Sequence, residues 1–150
     1  MKSVIILILF FVGTFTACSV LTLTPANFAW PIESVLKVND EGEVNDERYS
    51  FSFDAKGIYH EEFQDSLAYL DRELRIIRDV QGYYFMTGIK FKNVYVFLAF
   101  EGTMVLDNKI LISEFGFDNP VFNQREPHIE LIGGDKILKL THQGIEGNSK

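Results

Sequence analysis

From Glu73 to Phe115 the chain is a succession of short apolar runs cut by turn residues, and this stretch limits the fold more than any other. Leu74 to Val80 reads as a strand, Gln81-Gly82 as a tight turn, and Tyr83 to Thr87 as the aromatic partner strand. Gly88 to Asn93 reads as a connection, Val94 to Phe100 as a strongly β-forming strand, and Glu101-Gly102 as another turn. Met104 to Leu106, an Asp107-Asn108-Lys109 turn and Ile110 to Phe115 follow. Val, Ile and aromatic side chains suit a pleated, half-buried surface, and brief turns make consecutive strands pair antiparallel. The stretch therefore predicts a meander.

The flanking segments extend the same pattern. Ile32 to Val38 suits a strand, and Asn39-Asp40-Glu41-Gly42-Glu43 is a turn signal. Tyr49, Phe51 and Phe53 alternate with Ser50, Ser52 and Asp54, which is period-two patterning with an aromatic face inward. Phe63, Leu67 and Leu70 recur at helical spacing with Glu61, Glu62 and Asp65 at the acidic start, so one short helix is expected from Glu61 to Leu70. After Phe115 the chain reads as a loop through to Pro127. His128 to Ile132 and Ile137 to Thr141 then form two short strands around Gly133-Gly134-Asp135. Leu74 to Ile112 resembles one blade of a β-propeller, but the segments on either side do not repeat its turn spacing, which argues against a propeller. The expected fold class is mainly β: a small antiparallel β-sandwich or partly closed β-barrel with a meander and at most one short helix.

The chain has 150 residues, one domain's worth, and a formal net charge of −7. An acidic surface argues against nucleic acid as a partner and against electrostatic docking on anionic lipid. The expected organisation is a signal peptide at residues 1–17, a lipid-anchored tether at 18–27, a single β-rich domain at 28–143 and a flexible tail at 144–150.

That organisation comes from the leader. Lys2 supplies a positive charge, Val4 to Val12 are uninterruptedly apolar, and Gly13 to Ala17 lead into Cys18, the only cysteine. This is the plan of a secretory signal. Phe15-Thr16-Ala17-Cys18 resembles the lipobox of bacterial lipoproteins, the substrates of signal peptidase II, although Phe15 stands where that family usually has Leu. The resemblance implies lipidation of Cys18, which becomes the new N-terminus. The anchor is then the membrane contact, each buried methylene adding about 0.8 kcal/mol. Ser19 follows the cysteine in place of the aspartate that holds some lipoproteins at the inner membrane, which leans towards the outer membrane of the cell envelope. The alternative is a single uncleaved span, because Val4 to Thr24 gives about twenty residues without a charge.

Chemical motifs are sparse. His60, His128 and His142 show no metal-ligand spacing, and neither a nucleophile elbow, a phosphate loop nor a dinucleotide fingerprint occurs. No cofactor is expected. Asp40, Glu41, Glu43, Asp46 and Glu47 form a candidate cation site, weighed against an ordinary solvated hairpin tip; Lys37 stands where an EF-hand loop needs a carboxylate. Arg125 and His128, in a polar run between strands, and Phe28 and Trp30, between two prolines, are candidate ligand or partner contacts, weighed against a plain connecting loop and ordinary core aromatics. The functional expectation is a non-catalytic envelope lipoprotein that binds a ligand or an envelope protein. The alternative is a small extracytoplasmic enzyme whose site is assembled from dispersed histidines and carboxylates.

Overall fold

The computed structural model describes residues 31–47 and 51–147. Up to Met104 the meander folds as expected. Strands β1 (Ser34–Lys37), β4 (Glu73–Arg78), β5 (Tyr83–Gly88), β6 (Asn93–Phe100) and β7 (Thr103–Leu111) make one antiparallel sheet in the order β1-β4-β5-β6-β7. Asp79 closes the β4–β5 turn, its Oδ1 accepting from the backbone N–H groups of Gln81 and Tyr83, each at 2.9 Å. Asp107-Asn108-Lys109 does not turn the chain. Val96 pairs with Asn108 and Phe97 with Leu106, so Asp107 is absorbed as a bulge in one nine-residue strand. A bulge takes up one extra residue while the ladder continues on both sides, which local turn chemistry does not reveal.

Strand register gives this sheet two apolar faces. Ile77, Phe85 and Val96 lie opposite one another, as do Ile76, Met86 and Tyr95, and all six are buried. Burial on both sides needs a layer on each. One layer is a four-stranded antiparallel sheet in the order β11-β10-β9-β8, formed by β8 (Val121–Arg125), β9 (His128–Gly133), β10 (Lys136–Thr141) and β11 (Gly144–Ile145). It contributes Phe122, Ile129, Leu131 and Leu140 to the core. The ring of His142 stacks on Tyr83 with centroids 4.3 Å apart, and Asn108 Nδ2 donates to the His142 carbonyl at 2.9 Å. Glu33 joins the layers elsewhere, pairing with Arg75 and accepting from the Phe122 N–H at 2.8 Å.

Two expectations are corrected here. β8 lies inside the segment read as loop. Its alternation is weak and prolines flank it, but pairing with β9 and the bridge between Ile32 and Asn123 make it a strand. The segment from Gly144 begins with a strand rather than a free tail, Leu140 pairing with Ile145 and Thr141 with Gly144.

The opposite layer holds a hairpin of β2 (Glu43–Asp46) and β3 (Phe51–Asp54), followed by helix α1 (Lys56–Phe63). The aromatic strand expected around Tyr49 to Phe53 is β3; Tyr49 lies outside the described residues. The helix starts and stops earlier than its apolar spacing suggests. Asp54 Oδ1 accepts from the Lys56 N–H at 2.8 Å at its start, and Gln64 ends it in the left-handed conformation, φ 56°. Asp65 then draws the Leu67 N–H into a local turn at 2.9 Å, and Leu67 and Leu70 stay exposed. Such side-chain bonds to the backbone compete with helix continuation. Under the helix sits Phe91, from the expected β5–β6 connection, packed edge-on to Tyr59 at 5.1 Å and Phe63 at 5.7 Å. Gly88 leaves room for it: a Cβ there would lie 2.9 Å from Phe91 Cε1.

Among the described residues the fold is thus mainly β with one short helix. Its antiparallel sheets are open rather than closed into a barrel, the arrangement of a small β-sandwich.

Candidate functional site

The β2–β3 hairpin and α1 cover only part of the five-stranded sheet, and the uncovered part is a cleft of about 560 Å³. β3 forms one wall. Phe51 and Phe53, two residues apart and so on the same face, stack with centroids 5.8 Å apart, and Phe51 leans on Tyr84 at 6.4 Å. Tyr84, Met86 and Phe97 make the floor, Ile58 of α1 closes one end, and Ala99 and Met104 lie towards the β6–β7 tip. A volume of this size, mostly apolar with a few polar groups, is within the range of ligand clefts. Met104 at the edge adds an adaptable surface.

Polar groups are few. Among the described residues lining the cleft Asp54 carries the one charged side chain, and it is engaged: it caps Lys56 N–H and forms a 3.5 Å ion pair with Lys56 Nζ. A second cavity of about 300 Å³ shares Gly57, Ile58 and Phe97 with the first and is bounded by Glu61 and Lys109. Lys109 donates to Glu61 at 2.6 Å, and that bond with its charge holds the Glu61 carboxyl below its ordinary range. Behind it, Glu62 accepts from Lys92 N–H, Asn93 Nδ2 and Tyr95 Oη at 2.8, 2.8 and 2.9 Å. Burial, reinforced by the Glu62 carboxylate, pushes the Tyr95 hydroxyl far above its usual range. Burial does the same to Tyr59, whose hydroxyl donates to the Glu73 carbonyl at 2.9 Å. These groups hold α1 on the sheet and set one end of the cleft.

Beyond the cleft the β6–β7 hairpin runs past both covering layers. Leu98, Phe100, Val105 and Leu106 are exposed there. An apolar run of this kind would normally be covered on both faces.

The residues singled out from sequence lie elsewhere. Cys18, Phe28 and Trp30 are outside the described residues. Asp40 and Glu41 are in a turn, whereas Glu43 and Asp46 belong to β2, Glu43 exposed and Asp46 buried, which puts them on opposite faces. No group of three or more His, Cys, Asp or Glu side chains among the described residues is placed to hold a metal ion. Arg125 and His128 are opposite each other across the Glu126-Pro127 turn, but each has its own carboxylate: Arg125 lies 3.6 Å from Glu130, and His128 lies 3.4 Å from Glu146. Of the other aromatics, Phe117 is buried against Gly133 and Phe115 is exposed.

Phe51 and Phe53 had been legible only as core. The usable signal was Phe97-Leu98-Ala99-Phe100, where apolar residues fall on both faces at a hairpin tip that a small domain has little chain left to cover.

Structure and site define a small mainly β domain with open antiparallel sheets and an aromatic cleft. Compared with known protein families, curated proteins and solved structures, the chain matches none of them. No helix among the described residues is long and apolar enough to cross a membrane.

Proposed function

We propose that this protein is a non-catalytic binding module of the bacterial cell envelope, anchored by lipid on Cys18, which takes a ligand or a segment of an envelope protein into the cleft between β3 and the β5–β6–β7 face. The observation that carries the binding reading is the cleft itself. Its walls are aromatic and aliphatic, and its one lining carboxylate, among the described residues, already serves Lys56. Such a lining favours holding an apolar group over moving protons, since proton transfer needs a titratable group free to reach the reacting atom. The anchoring reading rests on the resemblance of Phe15 to Cys18 to a lipobox.

An environment-sensitive hydrophobic dye tests the binding reading on the full-length protein in mild detergent. The dye brightens and saturates with wild type, and Met104→Glu, at the cleft's outer end, weakens it at least about tenfold, since an apolar dye seated there strips water from an unpaired carboxylate. Equal dye affinity in the variant overturns the reading. For the anchor, Cys18→Ala abolishes lipid labelling and releases the protein from the membrane fraction. Unchanged membrane retention without label favours the uncleaved span.

A further inference from the structure

The backbone of β3 supplies something the apolar lining does not. Ala55 N–H donates to the Gly42 carbonyl at 2.8 Å, which sets the alternation of the β2–β3 ladder: Phe53 and Phe51 form the hydrogen-bonded pairs with Val44 and Asp46. The backbone N–H and C=O groups of Ser52 and Asp54 therefore turn away from β2. β3 pairs with no other strand among the described residues, and both Ser52 and Asp54 line the cleft. Among the described residues, then, an open strand edge runs along one side of an apolar floor.

We infer that the cleft receives an extended peptide segment of a partner protein, which adds as a strand to the edge of β3 left open among the described residues and seats an apolar side chain on Phe97 and Met104. This rests on the binding reading above and names the class of ligand. Backbone complementarity selects a peptide over a hydrocarbon. A fatty chain would fill the apolar volume but cover the Ser52 N–H and C=O without a partner, a penalty comparable to a lost hydrogen bond for each group. An added strand satisfies both and, with its period of two, directs alternate side chains onto the floor, as Phe51 and Phe53 already do. Charge selects among peptides. Asp54, the one charged lining side chain among the described residues, is already paired with Lys56, and what remains is the net −7 of the whole chain, which disfavours an anionic segment. The Ser52 and Asp54 side chains are exposed, so no layer among the described residues covers the outer face of β3.

The test uses the full-length protein in mild detergent and a set of blocked synthetic peptides of about eight residues, the length of an ordinary strand or a little more. Thr occupies alternate positions, Lys both ends, and Phe, Tyr, Leu, Ile or Val the inward positions. At least one peptide binds and displaces the hydrophobic dye. N-methylation of its amides in one register weakens binding about tenfold, whereas methylation in the other register leaves it unchanged, because only alternate amides face β3. Ser52→Pro, which removes an outward N–H that the β2–β3 ladder does not use, also weakens the peptide about tenfold while dye affinity holds. If that variant misfolds, the methylated peptides decide on the unaltered protein. Equal binding of both methylated forms overturns strand addition. If the dye binds at the cleft and no peptide displaces it, the peptide inference falls and the binding reading stands; if the dye does not bind either, both fall.

Discussion

Tyr95 and Glu62 meet across the interface of sheet and helix, the phenolic hydroxyl donating to the carboxylate at 2.9 Å. The same carboxylate accepts from Lys92 N–H and Asn93 Nδ2, so one side chain satisfies three donors from the start of β6 and fixes α1 over it. Glu62→Ala leaves those donors without their acceptor and is expected to cost about 3 kcal/mol, against about 1 kcal/mol for Tyr95→Phe, which removes one donor and leaves the carboxylate two others. Urea unfolding checks the pair. Equal losses for the two variants would contradict the assigned roles.

Alkaline stability follows from the same region. Burial raises the hydroxyls of Tyr59 and Tyr95 above the ordinary value of 10.0, Arg72 opposing it at Tyr59 and Glu62 adding to it at Tyr95. Both tyrosines stay protonated in the folded chain at a pH where the unfolded chain ionises. Their contribution is therefore complete below about pH 10 and is lost as pH rises beyond it. Ultraviolet titration should show these two rings ionising only together with loss of tertiary structure. Smooth ionisation of every tyrosine near pH 10 in a chain that remains folded would contradict the burial argument.

Phe91 is fully buried and packs edge-on against Tyr59, Phe63 and Tyr95. Phe91→Ala is expected to lose about 3 to 5 kcal/mol, the cost of a large cavity in a core. Thermal or urea unfolding reads it, and a loss below about 1 kcal/mol would mean that the helix layer contributes little to stability.

The acidic stretch from Asp40 to Glu47 is expected to give no thermal shift with millimolar calcium. Glu43 and Asp46 alternate on β2, one exposed and one buried, so the carboxylates do not converge. A rise in melting temperature that is reversed by a chelator, and abolished by Glu43→Gln, would restore the cation reading.

What could be read from the chain depended on where its patterns were local. β4, β5 and β6 were legible because Gly82 and Gly102 mark turns between runs of β-forming residues, and β9 and β10 because the glycines at 133 and 134 divide them. β8 was not, since its strand character comes from pairing with β9 and from Ile32 rather than from its own alternation. β2 was hidden for the same reason: Glu43, Asn45 and Asp46 have low strand preference, and pairing with β3 overrides it. The helix moved because Asp54 and Asp65 act on backbone N–H groups at its ends, a short-range effect that Leu67 and Leu70 do not report. The cleft was out of reach. It exists only because a hairpin more than thirty positions before Phe97 covers part of a face and stops short.

The cleft between β3 and the β6–β7 hairpin is the surface proposed to meet a partner. Photocrosslinking in intact cells tests this most directly, with a photoreactive side chain in turn at Ser52 and Thr103, on the cleft, and at Lys136, at the exposed start of β10 in the other sheet. Adducts to an envelope component are expected from Ser52 and Thr103, abolished by Met104→Glu, and none from Lys136. Adducts from Lys136 alone, or from none of the three, would contradict the proposed role of the cleft.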